Sequence, residues 1–209
     1  MAQTPPSQNE LRVYAGLHAA AAKGNAAEIE KLIADGEKPN VQDANSRTPL
    51  HVAVFFGHQA AARALLRLGA NANALDAQKY DVVTIASVKN DVPMLKLVLE
   101  GGASAKNITS TYDGTALIAA AHLGHAEIVR TLIAAGAPLD HVNNLGWTAL
   151  IESIVLGNGG RNHTDTLEAL VKAGASVNIA DRQGVSPLGL ARGREYADMI
   201  RILEAAGAK

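Results

Sequence analysis

The sequence predicts an all-α fold: a solenoid of six helix-turn-helix repeats joined by finger-like hairpin loops. Three observations predict it. A leucine or valine recurs at Leu17, Leu50, Val83, Leu117, Leu150 and Leu188, in steps of 33 or 34 residues and a last step of 38. Glycine recurs independently at Gly36, Gly69, Gly102, Gly136, Gly174 and Gly207. Such a period marks a stack of equivalent supersecondary units. The third observation is compositional: hydrophobic residues make up 48% of the 209 residues, and aromatics only 3%. Small aliphatic side chains let helix backbones approach closely. They also disfavour β-sandwiches and barrels, which draw on aromatic and β-branched residues.

The elements follow in order. Residues 1–7 read as a flexible polar lead and 8–209 as one repeat domain, with repeats at about 8–39, 40–72, 73–106, 107–139, 140–177 and 178–209. Ser7 and Glu10 have the spacing of a capping box. The helix they start is expected to run from Gln8 to about Lys23, longer than the others. In repeat two, Thr48 is placed to cap a short helix and Pro49 fits its first position, where a missing N–H is harmless. Leu50 and Ala53 face inward, and Gly57 ends the helix. A second helix is expected from about His58 to Leu68, with Ala62, Leu65 and Leu66 inward and Gly69 closing it. Polar stretches with turn residues such as Asp76 and Asn144 form the fingers.

Later repeats vary this plan. In repeat three Asp81 replaces the capping threonine and Asn90 the inter-helix glycine, since Asn tolerates a left-handed turn. Repeat five gains five residues in Gly157-Asn158-Gly159-Gly160-Arg161-Asn162-His163, read as a longer turn between its helices. In repeat six, Glu204 occupies a position that is apolar elsewhere, with Arg201 and Lys209 flanking it. A terminal unit that lacks an onward neighbour has this polar character, so both ends read as capped.

Thr48-Pro49-Leu50-His51-Val52-Ala53, then Gly57-His58, then Leu65-Leu66 ahead of Gly69-Ala70, resembles the ankyrin repeat. The resemblance covers about residues 10–209. Tyr80-Asp81, the stretch Thr109–Gly114, the stretch Asp140–Trp147 and the insert resemble a bacterial subgroup of that family, often exported in Gram-negative bacteria. It implies antiparallel helix pairs with fingers projecting at a right angle, stacked into a curved array. It also implies binding of other proteins on the concave side.

Composition removes several other functions. The formal charge is −1, which argues against a nucleic-acid binder resting on a basic face. There is no cysteine, hence no disulfide, thiolate nucleophile or thiolate metal site. No apolar run approaches the roughly 18–20 residues that span a bilayer. The start, Met1-Ala2-Gln3-Thr4-Pro5-Pro6-Ser7, lacks a signal peptide. It fits a mature exported chain and a cytoplasmic one equally. Gly157-Asn158-Gly159-Gly160 lacks the lysine and the preceding strand of a phosphate loop. Asn107-Ile108-Thr109 matches a glycosylation acceptor by chance. No cofactor is expected, and the array is expected to be a monomer without its partner.

The resemblance places the binding surface on finger tips and on the exposed end of each first helix. Counting from each cap gives Arg47, Phe55, Phe56, Tyr80, Lys89, Tyr112, His122, Leu123, Asn144, Trp147 and Leu156. Five of the aromatic residues fall in this set. Aromatic residues and arginine are the types that most often dominate binding energy. The partner is expected to be a protein or peptide, and the chain is not expected to be an enzyme. His18, His51, His58 and His125 hold structural motif positions, and no histidines have the spacing of a zinc site. The unusual carboxylate is Glu152, on a helix where repeat two has Val52. It is expected to bond backbone nearby, with His122 or Arg161 as possible neighbours. Tyr112, His122, Trp147 and Glu152 define the alternative, a small-ligand or hydrolytic site. A purely structural spacer is the other.

Overall fold

A computed structural model describes residues 4–209. Among the described residues there are thirteen α-helices and no strand, only an isolated bridge between Thr109 and Gly114. The chain forms two compact units, one ending at Ser104 and the other Ala105–Lys209. In the first, α1 (Gln8–Val13) precedes three pairs: α2 (Gly16–Ala22) with α3 (Ala26–Ala34), α4 (Pro49–Phe55) with α5 (Gln59–Arg67), and α6 (Val82–Val88) with α7 (Val92–Glu100). The second holds α8 (Ala116–His122) with α9 (Ala126–Ala134), α10 (Ala149–Val155) with α11 (Arg161–Lys172), and α12 (Pro187–Arg192) with α13 (Ala197–Ala205). Within each unit the first helices of the pairs pack side by side as an inner layer, and the second helices as an outer layer.

Local chemistry sets each boundary. Thr48 and His51 form a reciprocal cap: the Thr48 N–H donates to His51 Nδ1 at 3.1 Å, and Thr48 Oγ1 accepts from the His51 N–H at 3.5 Å. Asp81, Thr115, Thr148 and Ser186 accept at the starts of α6, α8, α10 and α12. The periodic residues Leu17, Leu50, Val83, Leu117, Leu150 and Leu188 are all buried. The six closing glycines all have positive φ, from 79° to 105°. A side chain there would be strained, which explains their recurrence. Asn90 takes φ 55°, as its place in the pattern predicts.

Asparagine and aspartate tie adjacent repeats together. Asn40 Nδ2 donates to the Gly69 carbonyl at 3.1 Å, and its Oδ1 accepts from the Asn71 N–H. Asn73 repeats this with Gly102 and Ser104. Asp140 accepts from Ser176 and Asn178 from Lys209.

Two expectations need correction. The first helix is broken at Tyr14 and Ala15, both extended, and resumes at Gly16 with φ 52°. Ala15 has no side chain to cap α2. Glu37 replaces it, accepting from the Leu17 N–H at 3.2 Å. A Cβ at Gly16 would displace that carboxylate from its bond to Leu17 and would be strained at φ 52°, which favours glycine there. The repeat-five insert is not simply a longer turn, because Arg161–His163 is helical and lengthens α11 to 12 residues. His163 Nε2 donates to the His122 carbonyl at 3.0 Å, as His58 Nε2 donates to Ala22 at 3.0 Å. His163 thus holds the structural Gly-His position, and the extra residues precede it. In repeat six Tyr196 takes that place, its hydroxyl donating to the Gly157 carbonyl at 2.9 Å.

Of the seven-residue lead, Met1–Gln3 lie outside the described residues. Pro6 is buried, and Ser7 accepts from the Glu10 N–H at 3.2 Å to start α1.

Candidate functional site

The fingers are built on one acceptor each. Asp43 Oδ1 accepts from the N–H groups of Asn45 at 2.8 Å and Arg47 at 2.9 Å. Asp76 does so for Gln78 and Tyr80, and Asp181 for Gln183 and Val185. A residue in the left-handed region closes each turn: Ser46, Lys79 and Gly184. In repeat five Asn143 stands at this position and accepts from Leu145 and Trp147, both at 3.0 Å. Its amide also needs an acceptor, and buried Glu152 supplies one: Asn143 Nδ2 donates to Glu152 Oε1 at 2.9 Å. Backbone therefore is not the partner of Glu152, contrary to expectation. Its other oxygen, Oε2, has no hydrogen-bond donor and faces His122 Nδ1 at 3.4 Å. Arg161 pairs instead with Asp165. Of the alternative ligand-site residues, the structure joins His122 to Glu152. Trp147 enters only through its backbone, and Tyr112 through its carbonyl, which accepts from the Asn144 N–H at 2.9 Å.

Two residues expected on the binding surface are buried. Arg47 is 4% exposed, bonded by Asp43 at 2.7 Å and by Glu10 of α1. Tyr80 is 8% exposed. Counting from the cap ranks both as finger residues, but they stand at the finger base. There the preceding repeat grips their carbonyls: His18 Nε2 donates to Arg47 at 2.8 Å, and His51 Nε2 to Tyr80 at 3.3 Å. Both are structural residues.

Around Arg47 lies a polar knot. Tyr14 donates to Asp43 Oδ2 at 2.6 Å, and Asn45 Nδ2 donates to Glu10 at 2.7 Å. Burial alone would raise the Asp43 carboxyl, but the bonds from Tyr14 and Arg47 outweigh it and hold it below its ordinary 3.8. The Ser7 cap, with Arg47, holds Glu10 below 4.5. Burial and the Asp43 bond push the Tyr14 phenol well up. No helical residue of α1 is buried, so this knot is its main tether.

The other expected residues are accessible. Phe56, Lys89, Leu123 and Leu156 are the C-cap residues of α4, α6, α8 and α10, and all are exposed. His122 and Asn144 are exposed, and Phe55, Tyr112 and Trp147 are half-buried. Asn144 also staples two fingers, its amide donating to the Thr111 carbonyl at 3.1 Å. Lys89 Nζ sits 5.4 Å from the centre of the Phe55 ring, a cation–π contact.

A wider pattern emerges among the described residues. The exposed large apolar residues are Val13 of α1, the C-caps Phe56, Leu123 and Leu156, and loop residues such as Leu75, Leu145 and Val185. None lies on an outer helix. Cap counting finds Phe56, Leu123 and Leu156, but it misses Leu145 and Asn143. The signal for Asn143 is available in the sequence: Asp43, Asp76 and Asp181 each precede a cap by five residues, as Asn143 does.

The family model for ankyrin repeats, three copies, matches residues 17–109 and again 83–181. The chain is an ankyrin repeat protein. It is 30% identical over 190 residues to the ankyrin repeat protein YahD of Escherichia coli K12, covering 90% of this chain and 94% of that one. An ankyrin repeat domain from Acinetobacter baumannii superimposes with a TM-score of 0.88 at 42% identity, over 92% of this chain and 98% of the other. The ankyrin repeat domain of Bcl-3, a member of the IkappaB protein family, aligns with a TM-score of 0.83 at 28% identity, over 94% and 88%. Its fold is that of a protein-interaction module, and its bacterial relatives share the arrangement of repeats.

Proposed function

We propose that this ankyrin repeat protein is a binding module that holds a protein partner on its inner face, formed by fingers and first-helix C-caps. One observation carries the reading. Large exposed apolar side chains are confined to fingers, inner C-caps and α1, and are absent from the outer helices among the described residues. Folding does not require a phenylalanine or leucine at an exposed C-cap, where polar residues serve equally. Within each unit, exposed apolar residues concentrated in fingers and inner C-caps mark an interaction site. The staples between fingers and the caps at each first helix hold these residues ready, so little ordering is lost on binding.

No catalytic role is part of this reading. The buried carboxylate that stood out in the sequence supports the repeat-five finger, which gives it structural work. The test is site-specific photo-crosslinking in the native host. A photoreactive amino acid in place of Phe56 or Leu156 captures one protein partner, and the same probe in place of Arg63 or Glu168 on the outer helices captures none. Equal capture from both layers removes the reading.

A further inference from the structure

We infer that the inner face of the first unit selects an acidic, apolar-containing segment of its partner; this rests on the binding-module reading above. Three C-caps of neighbouring inner helices form a row, Lys23 of α2, Phe56 of α4 and Lys89 of α6, all exposed. The helices α2, α4 and α6 with these caps contain no aspartate or glutamate. Lys89 has the Phe55 ring beneath it.

Beside this row lies a groove of about 290 Å³ between α1 and α2. Leu11, Tyr14, Ala19 and Ala22 line it, and Arg12 and Lys23 supply its charge. The nearby carboxylates are already engaged. Glu10 and Asp43 bind Arg47, Asp76 accepts from its own finger, and Asp91 caps α7 at Met94. Among the described residues, Arg12, Lys23 and Lys89 form no ion pair with a carboxylate.

The outer layer of the same unit is different. It mixes Glu28, Glu30 and Glu100 with Lys31, Arg63, Arg67 and Lys96, and Arg67 pairs with Glu30. The inner caps of the second unit, Leu123, Leu156 and Gly193, are uncharged. A single-signed cationic row thus marks the inner C-caps of the first unit, in a chain whose net charge is −1. Cations interleaved with phenylalanine and an apolar groove complement carboxylates interleaved with apolar side chains. Such complementarity sets partner choice and encounter rate. The low overall charge and the apolar groove favour an acidic peptide over a nucleic acid.

The test is selection of a displayed random-peptide library against the intact chain, with a duplex DNA fragment as a separate probe. The expected peptides carry several Asp or Glu together with Phe or Leu. Their binding falls with added salt and weakens roughly ten-fold or more in Lys23→Glu/Lys89→Glu, a variant whose helicity and melting are checked in parallel. Peptides with no acidic bias that still lose binding in Phe56→Ala overturn the charge preference and leave the binding-module reading standing. Peptides indifferent to all inner-face substitutions overturn both. Failure to enrich any peptide, or tighter binding of the DNA, also overturns the inference.

Discussion

Asn143 and Glu152 share one hydrogen bond, 2.9 Å long, that exchanges the usual chemistry of a finger. In repeat two the finger acceptor is Asp43 and the helix position is Val52; in repeat five the carboxylate sits on the helix and the finger carries an amide. Replacing Glu152 with Val leaves the Asn143 amide without its acceptor and is expected to cost about 1–3 kcal/mol. Replacing Asn143 with Asp sets two carboxylates together and also destabilises. The double change Asn143→Asp/Glu152→Val brings back a finger carboxylate with an aliphatic helix residue, as at Asp76 and Ile85 of repeat three, and recovers part of the loss. A denaturant double-mutant cycle reads the coupling; additive losses would mean that the two residues act independently.

His51 makes stability depend on pH near neutrality. Burial is the chief cause that lowers its pKa from 6.5. Nδ1 accepts from the Thr48 N–H, so Nε2 carries the proton given to the Tyr80 carbonyl, and the ring is neutral. As pH falls through 6.5 the unfolded histidine gains a proton that the folded one resists, so stability is full above that value and declines below it. A melting series across this range should show the decline. The slope should flatten in His51→Gln, whatever that variant loses overall.

Arg47 anchors the first helix. Its guanidinium is nearly enclosed by Asp43 and Glu10, and removing it as Arg47→Met leaves the Asp43 carboxylate buried beside Tyr14 without its cation. The expected loss is about 3 kcal/mol, with faster hydrogen exchange across Gln8–Val13. Acid acts on the same knot. Glu10 and Asp43 are held below 4.5 and 3.8, so their contribution is present at neutral pH and is lost as pH falls below those values.

Stability and binding separate on the inner face. Phe56→Ala, Leu123→Ala and Leu156→Ala remove side chains that are partly exposed and should each cost about 1 kcal/mol of stability, well short of a core truncation. The same substitutions should weaken a captured partner by about 1 kcal/mol or more where the residue is a contact. Tyr80→Ala does the reverse, with a loss of about 3 kcal/mol through the cavity it leaves. Calorimetry of folding and of binding on one set of variants distinguishes the two groups.

Gly159 is required by its neighbour. Its φ is 69°, and a Cβ there would lie 2.4 Å from the Tyr196 ring. Gly159→Ala should destabilise by more than about 1 kcal/mol, and Gly159→Ala/Tyr196→His should recover part of it. No recovery in the double variant would leave backbone strain as the whole effect.

Much of this was legible along the chain. Thr48, Asp81, Thr148 and Ser186 announce helix starts because capping is local: donor and acceptor lie within four residues. Gly36 and its equivalents announce helix ends because positive φ is a property of one residue. The inner-face positions of Phe56, Leu123 and Leu156 followed from counting. Counting from the cap places Arg47 and Tyr80 on the surface because it cannot register partners far away in sequence: Glu10 encloses the Arg47 guanidinium, and His51 holds the Tyr80 carbonyl at the finger base. His163 was misread because a five-residue insert leaves two ways to restore the register. Only the bond to the His122 carbonyl decides between them.

The repeat, its helix pairs, the turns between them and the family can be read along the chain. These rest on periodicity, caps and glycine, all short-range. Tertiary structure alone decided which polar residues are structural. Glu152 supports a finger, Arg47 pins a helix, and Lys23 and Lys89 are left facing solvent without a carboxylate. Charge and burial are set by the sum of everything that surrounds a side chain, and most of those surroundings lie about one repeat away.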